Sequence, residues 1–395
     1  MVNAPVAVSP VISAWTAVSP LGLRAADFSS GLRSGRGTGK PLDPEEWSVP
    51  FREACLVPDF HIREILGRKN TRSMDRVTGL AVTAIRHLLS GESAGGRGGA
   101  REGSRDGGRN GERGTAGGDG AGRLPGVGEH TGIALGTSTG SAQSIMDFTR
   151  DSLVGAKPFF VDPARFPNTV MNCAAGQSAI WHGLKGPNTT IAGGRAAGLL
   201  TLRYALRLQR AGRARTVLCG AVEEFTSARA WLEWHTRADD DATAVLGEGA
   251  AVWLLETADE AREHGRGGLA DVAGVEFGFA ADPAAARTAL ADAVRRLLDR
   301  TGTAPGDVRA LADAQAPGAE GEAERAALAD VLGGHRPLRV ATADAIGDTC
   351  AASAAFQIAA VLALAERGEI APGSPALVTT IDRDGVVGAA LLRTR

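Results

Sequence analysis

Gly186-Pro-Asn-Thr-Thr-Ile-Ala-Gly-Gly-Arg-Ala-Ala-Gly198 is the stretch whose reading decides the fold. Residues 189–192 carry two threonines and an isoleucine, a β-favouring run. Gly193 and Gly194 then permit a turn that other residues would strain. From residue 196 to 211 the pattern becomes helical, with Leu199, Leu200, Leu202, Ala205 and Leu206 available for one face. A strand, a tight turn and a helix start place a residue at a helix N-terminus, where backbone N–H groups favour an anion. Activated nucleophiles often sit at such bends. Here the bend carries Arg195. A guanidinium is permanently cationic and cannot act as a nucleophile.

Composition narrows the possibilities around that bend. The chain has 395 residues and a net charge of -2, enough for one large α/β unit or two fused domains, with no global field that favours nucleic acid or membrane. Residues 1–10 lack the basic and apolar regions of a secretory signal. No apolar run approaches the ~18 residues of a membrane span. Cys55, Cys173, Cys219 and Cys350 are far apart and show no metal spacing. They read as reduced core thiols of a cytoplasmic protein, and no cofactor or metal is expected.

Outward from the bend, the chain alternates strands and helices. Strands are expected at 6–18, 131–137, 215–222 and 247–256, and again at 269–278, 308–314, 338–342, 376–381 and 386–392. Helices fall at 24–33, up to residue 89 behind Ser73 or Asp75, at 138–154, 171–180, 282–300, 318–332 and 350–367, with a helix or loop at 223–234. Residues 43–60 contain Pro44, Pro50 and Pro58 and read as irregular. Residues 91–126 hold 15 glycines among Arg, Glu, Asp and Ser, and read as a disordered surface insertion. The order implies a layered α/β fold of two related halves, 1–258 and 259–395.

Four motifs now give this order a family. Residues 11–23 (Val-Ile-Ser-Ala-Trp-Thr-Ala-Val-Ser-Pro-Leu-Gly-Leu), Met74-Asp-Arg76 within 71–81, Gly183-Leu-Lys-Gly-Pro-Asn-Thr-Thr190 and Leu246-Gly-Glu-Gly-Ala250 together resemble a β-ketoacyl synthase of the thiolase fold. The resemblance spans nearly the whole chain outside the insertion. It implies a five-layered α-β-α-β-α architecture with two duplicated halves. The departures from the family pattern carry the functional expectation. The family's elbow cysteine falls on Arg195, its first catalytic histidine on Gln315, its lysine on Ala343 and its second histidine on Asp348. The Phe-containing gate loop falls on 381–388, which has no Phe. Condensation needs a thiolate to carry the acyl chain and imidazoles to stabilise the enolate. His182, His235 and Cys173 are isolated in sequence and offer no replacement set.

A degenerate ketosynthase of this kind is similar to the chain-length factor (KSβ) of type II polyketide synthases. That resemblance implies no catalytic residue in this chain. It also implies an active ketosynthase (KSα) as heterodimeric partner, an acyl carrier protein, a growing polyketide chain in a shared tunnel, and neither nucleic acid nor membrane. Such factors commonly carry Gln at the elbow, so Arg195 is a departure. It is expected either to fill the vacated pocket, through an ion pair with Asp348 and a hydrogen bond with Gln315, or to bind a carboxylate such as malonyl. Ser144, Ile145, Met146 and Phe148 fall where the family gates its tunnel, or else are core residues of one helix. Thr189, Thr190, Ile191 and Ala192 form the expected dimer strand. The Arg-rich segment 203–215 is either a solvated face or an attraction for an acidic carrier. A competing reading is a diverged thiolase-fold acyltransferase or decarboxylase with a rebuilt site, marked by a Cys, Ser or His beside Arg195.

Overall fold

The computed structural model describes residues 9–91, 123–237 and 244–395. The expected start of the first strand and most of the Gly/Arg insertion, 92–122, lie outside these. The insertion's last residues are described, and Leu124 there donates its N–H to the Leu89 carbonyl at 2.8 Å and packs on the core.

Ten strands form one sheet. They are β1 (Pro10–Val18), β2 (Gly132–Thr137), β3 (Asn188–Ala192), β4 (Val217–Glu223) and β5 (Gly249–Thr257), then β6 (Ala270–Phe279), β7 (Ala310–Ala312), β8 (Leu338–Arg339), β9 (Pro375–Ile381) and β10 (Val386–Thr394). Their order is β8-β7-β9-β10-β6-β1-β5-β4-β2-β3. The first five strands and the last five therefore repeat one topology, with each strand matched by the one five places later. In both sets a parallel trio is completed by two antiparallel strands (β3-β2-β4 then β5 and β1; β8-β7-β9 then β10 and β6). The sets meet at the antiparallel pairs Val11↔Asp271 and Ile12↔Ala270.

Side-chain alternation along the strands separates three apolar layers. Ala251, Trp253 and Leu255 of β5 face a central layer, while Ala250, Val252 and Leu254 face an outer one. In β10, Ala390 and Leu392 face the centre and Ala389 and Leu391 the opposite outer layer. The central layer is built on α5 (Ala197–Arg210) and α9 (Ser353–Glu366). Earlier in the chain come α1 (Ala25–Ser34), α2 (Arg76–Leu89), α3 (Ala142–Val154) and α4 (Cys173–His182); α6 (Ser227–Thr236), α7 (Ala286–Thr301) and α8 (Gly318–Leu332) lie between α5 and α9. A Cβ at Gly198 would lie 2.7 Å from the Ala355 nitrogen, so glycine is what lets α5 and α9 cross so closely. Helices α2 and α4 cover one outer face, and α7 and α8 the other. This is the expected five-layered α/β arrangement.

Several local expectations shift. Asp75, not Ser73, caps α2, its carboxylate accepting the Thr78 N–H at 3.0 Å. Within the proline-rich segment, Glu53–Cys55 is a short strand that pairs with Lys40–Pro41 and Leu246–Gly247. Sequence pattern missed it because three residues are too few to show alternation. The helix or loop expected at 223–234 is a helix that starts at Ser227, where the Thr226 hydroxyl accepts the Arg229 N–H at 3.3 Å.

Candidate functional site

The bend between β3 and α5 is built around two acidic side chains from the second half. Gly194 has φ +49°, a left-handed conformation, and a Cβ there would lie 2.0 Å from Asp382 Oδ1. That carboxylate instead accepts the Arg195 backbone N–H at 2.8 Å. The Arg195 side chain is buried, and its Nη2 donates to Asp348 Oδ2 at 2.5 Å. Asp348 Oδ1 accepts the Cys350 N–H at 2.9 Å, just ahead of α9. The ion pair thus joins the start of α5 to the start of α9. Burial works to raise the Asp348 carboxyl, but the charge and hydrogen bond of Arg195, the Cys350 N–H and the Arg229 charge together outweigh it and hold the group at about 2. Burial likewise opposes the Arg195 charge, and Asp348 overcomes it, raising the guanidinium above its ordinary value. Arg195 Nε has no partner among the described residues.

More charges close around this pair. Buried Arg229 donates through Nη1 to the Glu224 and Gly247 carbonyls at 2.9 and 2.6 Å, and through Nη2 to the Asp348 carbonyl at 3.1 Å. Its Nε lies 4.0 Å from Glu223 Oε1, which also accepts from the Ser138 hydroxyl at 2.9 Å. Arg383 pairs with Glu233 at 2.5 Å. Glu324 on α8 accepts the Thr379 hydroxyl at 2.6 Å and the Ala314 N–H at 3.1 Å. Burial pushes its carboxyl up to about 7.

Gln315 does not bond to Arg195, which corrects the expectation. Its Oε1 accepts the N–H groups of Thr342 and Ala343 at 2.7 and 2.9 Å. Those are unpaired donors at the start of the short helix Ala343–Ile346, and the carboxamide satisfies them as a cap. Ala343 contributes only that backbone group. The thiol nearest the pair in the chain is Cys350. Burial, then Glu223 and Glu233, push it up, so it stays protonated. His182 is held against the Val82 carbonyl at 3.1 Å and lowered by burial to about 4, while exposed His235 stacks on Trp231. Cys173 is raised by burial and Asp75 to about 11 and lies 3.4 Å from Asn168 Oδ1.

The two remaining motifs meet each other. Glu248 of Leu246-Gly-Glu-Gly-Ala250 is fully buried and accepts Arg76 Nε at 2.6 Å, the Val57 N–H at 2.9 Å and the Phe225 N–H at 3.0 Å. Asp75, its neighbour in Met74-Asp-Arg76, receives the Ser144 hydroxyl at 3.4 Å. Ser144, Ile145, Met146 and Phe148 all lie on α3, whose Ser141 hydroxyl caps it and bonds Glu224 at 3.2 Å. These four are not core residues of a closed helix: Met146 is 55% exposed, the other three are half-buried, and Phe148 meets a surface ring, Phe166, at 5.9 Å. Among the described residues strand β3 pairs with β2 alone and forms one edge of the sheet, with Thr189, Thr190 and Ile191 half-buried and Ala192 exposed.

Comparison with known proteins gives this arrangement a lineage. The model of the β-ketoacyl synthase N-terminal domain matches residues 117–261. A solved structure, the ishigamide ketosynthase/chain length factor, is 40% identical, with a TM-score of 0.83, and the match covers 98% of this chain and 99% of that one. A Streptomyces halstedii protein named as a polyketide beta-ketoacyl synthase 2 is 29% identical over 96% of this chain and 90% of its own length. The 3-oxoacyl-[acyl-carrier-protein] synthase 2 of Mycobacterium tuberculosis H37Rv is 30% identical over 65% of this chain and 67% of its own. The chain belongs to the β-ketoacyl synthase family. Within a β-ketoacyl synthase fold the Arg195–Asp348 pair lies where the two halves face each other across their central helices. Sequence reasoning missed Asp382, Glu223, Arg229, Glu233, Arg383 and Glu324 there. One signal was available: Glu223 and Glu224 end a strand that otherwise reads as buried, and two buried acids call for a nearby cation. Among the described residues no helix is long and apolar enough to cross a membrane.

Proposed function

We propose that this chain is a non-condensing chain-length factor (KSβ) of a type II polyketide synthase. It pairs with an active ketosynthase, receives substrate from an acyl carrier protein, and helps shape the tunnel that holds the growing chain. The observation that carries this reading is the buried Arg195–Asp348 ion pair. A condensing site needs a thiolate at the elbow and an imidazole opposite it. Here a guanidinium and a carboxylate stand at those places, 2.5 Å apart and mutually neutralised. A bound malonyl carboxylate would have to displace Asp348, leaving that charge buried and unpaired, which is costly. Arg195 is therefore a filler of the vacated site rather than a substrate receptor. Gln315 and Ala343 serve the backbone of the neighbouring helix and offer no acid or base.

The partner's seat is the β3 edge, with Thr189, Thr190, Ile191 and Ala192 presenting unpaired backbone. Leu153, Phe159, Phe166 and Ile180, on the segments that precede this strand, are exposed apolar side chains available to a partner. Helix α3, with Ser144, Ile145, Met146 and Phe148, borders the tunnel. Residues 1–258 and 259–395 are the two duplicated units. The competing enzyme reading would need Cys350 as nucleophile, but that thiol is buried, raised and without an imidazole, so no observation favours it.

The test is co-expression with a candidate partner ketosynthase. Size analysis is expected to give a 1:1 complex, and condensation of malonyl units on the carrier protein should require both chains. Activity should vanish when the partner's elbow cysteine is replaced and persist in Arg195→Ala pairs that still assemble. Condensing activity from this chain alone would overturn the proposal.

A further inference from the structure

The far end of α5 carries a feature that the proposed role does not use. Arg203, Arg207 and Arg210 lie on its exposed side at helical spacing, and no acidic partner contacts them among the described residues. Arg203 and Arg210 line a recess of about 120 Å³ together with Leu206, Val275, Glu276 and Arg300. The recess sits at the seam between the halves, with α5 on one wall and β6 and α7 on the other. Arg195 stands before the first residue of α5 and Arg210 is its last, so the helix separates the two sites by about 20 Å.

Two of the guanidiniums are already oriented. Arg300 pairs with Glu276 and donates to the Val275 carbonyl at 3.1 Å. It fits there because residue 274 is glycine: a Cβ at Gly274 would lie 2.8 Å from Arg300 Nη2. Arg203 lies over the Phe277 ring, 5.3 Å from its centroid. Arg210 brings a third charge, and Glu276 is the one acid lining the recess. The walls are thus charged +2 around a floor of Leu206 and Val275, both buried.

We propose that this recess binds the phosphoryl group of a small phosphate ester. Guanidinium forks match tetrahedral oxyanions, and arginines already held in place lose less freedom on binding. The volume suits one or two phosphoryl groups and is too small to seat a helix. Leu206 and Val275 would take an adjoining apolar portion of the ligand.

The probes are inorganic phosphate and pyrophosphate, titrated calorimetrically into the full-length chain at low ionic strength. Saturable one-site binding is expected, tighter for pyrophosphate if the ligand is a diphosphate. Arg203→Gln and Arg210→Gln should each weaken it by about tenfold or more. Arg207→Gln removes the same charge from the same helix but lies outside the recess, and should change affinity by less than about twofold. All three side chains are exposed, and circular dichroism checks that the variants stay folded. Absence of saturable binding overturns the proposal. So does an equal loss in Arg207→Gln, which would mean a general basic field. Neither result bears on the chain-length-factor reading, which rests on Arg195 and on assembly.

Discussion

The two edges of the sheet are topological equivalents, yet they are finished differently. Strand β3 closes the first half with five residues, Asn188–Ala192, none of them charged. Strand β8 closes the second half with two residues, Leu338–Arg339, directly after His335-Arg-Pro337. Short edges, charges and proline are the means by which proteins protect unpaired strands. One edge is protected and its counterpart is left open, so the duplication has a closed side and an open side, and the open side is the proposed seat of the partner. A charge placed on each edge should have unequal effects. Ile191→Lys should weaken association with the partner ketosynthase by about 100-fold, read by analytical ultracentrifugation, whereas Leu338→Lys should leave it within about twofold. Equal sensitivity at both edges would remove the distinction.

The central helices repeat the lesson at their N-termini. Helix α5 begins beside a cation and α9 beside an anion, and each charge is the other's partner. Arg195→Ala leaves Asp348 buried and uncompensated, with an expected loss of about 3–5 kcal/mol in chemical denaturation. Adding Asp348→Ala should recover a large part of that loss, because a missing pair costs less than a lone buried charge. If the double variant were as unstable as the sum of the singles, the pair would not be a coupled unit.

Buried carboxyls differ between these regions in the sign of their pH dependence. Asp348 is held at about 2, below its ordinary 3.8, so its contribution to stability is present above pH 3.8 and is lost as pH falls toward 2. Glu224, raised by burial, Asp75 and Glu223 from 4.5 to about 8, behaves oppositely: its contribution is present below pH 4.5 and is lost as pH rises toward 8. Glu224→Gln should therefore stabilise the fold at pH 8, by up to about 5 kcal/mol, and leave its stability little changed near pH 4. A variant equally stabilised at both pH values would show that Glu224 is not titrating.

Much of this was legible in the chain, and the parts that were not share a cause. Strong alternation and helical periodicity located β1, β2, β10 and α8 to within a few residues. The pairing of Met74-Asp-Arg76 with Leu246-Gly-Glu-Gly-Ala250 was present only as two separate motifs, because nothing local says that Arg76 meets Glu248 across 172 positions. Asp382 fell between the strands expected at 376–381 and 386–392 and proved to hold the elbow. Gln315 was assigned the wrong partner because resemblance aligns positions, while the direction of a side chain depends on backbone that alignment does not carry. The duplication itself is faint in residue identity and plain in strand order, since topology is fixed by which faces must be buried rather than by particular residues.

That last contrast can be tested where the halves differ by one residue. Gly140 lies three positions beyond β2 and Gln315 three beyond β7, and both are left-handed, with φ +71° and +52°. At Gly140 a Cβ would lie 2.7 Å from the Met171 Cα, so only glycine fits. At position 315 there is room, and the side chain caps the helix Ala343–Ile346. Gln315→Ala keeps the backbone cost of a left-handed residue and removes the cap, so it should destabilise by about 1 kcal/mol. Gln315→Gly also removes the cap but relieves that cost, so the two effects, each near 1 kcal/mol, should nearly cancel. Gly140→Ala should be worse than either because it adds a collision with backbone. Thermal melts of the three variants rank these costs. If Gln315→Gly proved as damaging as Gln315→Ala, the side chain's capping would account for the whole effect and the left-handed backbone for none of it.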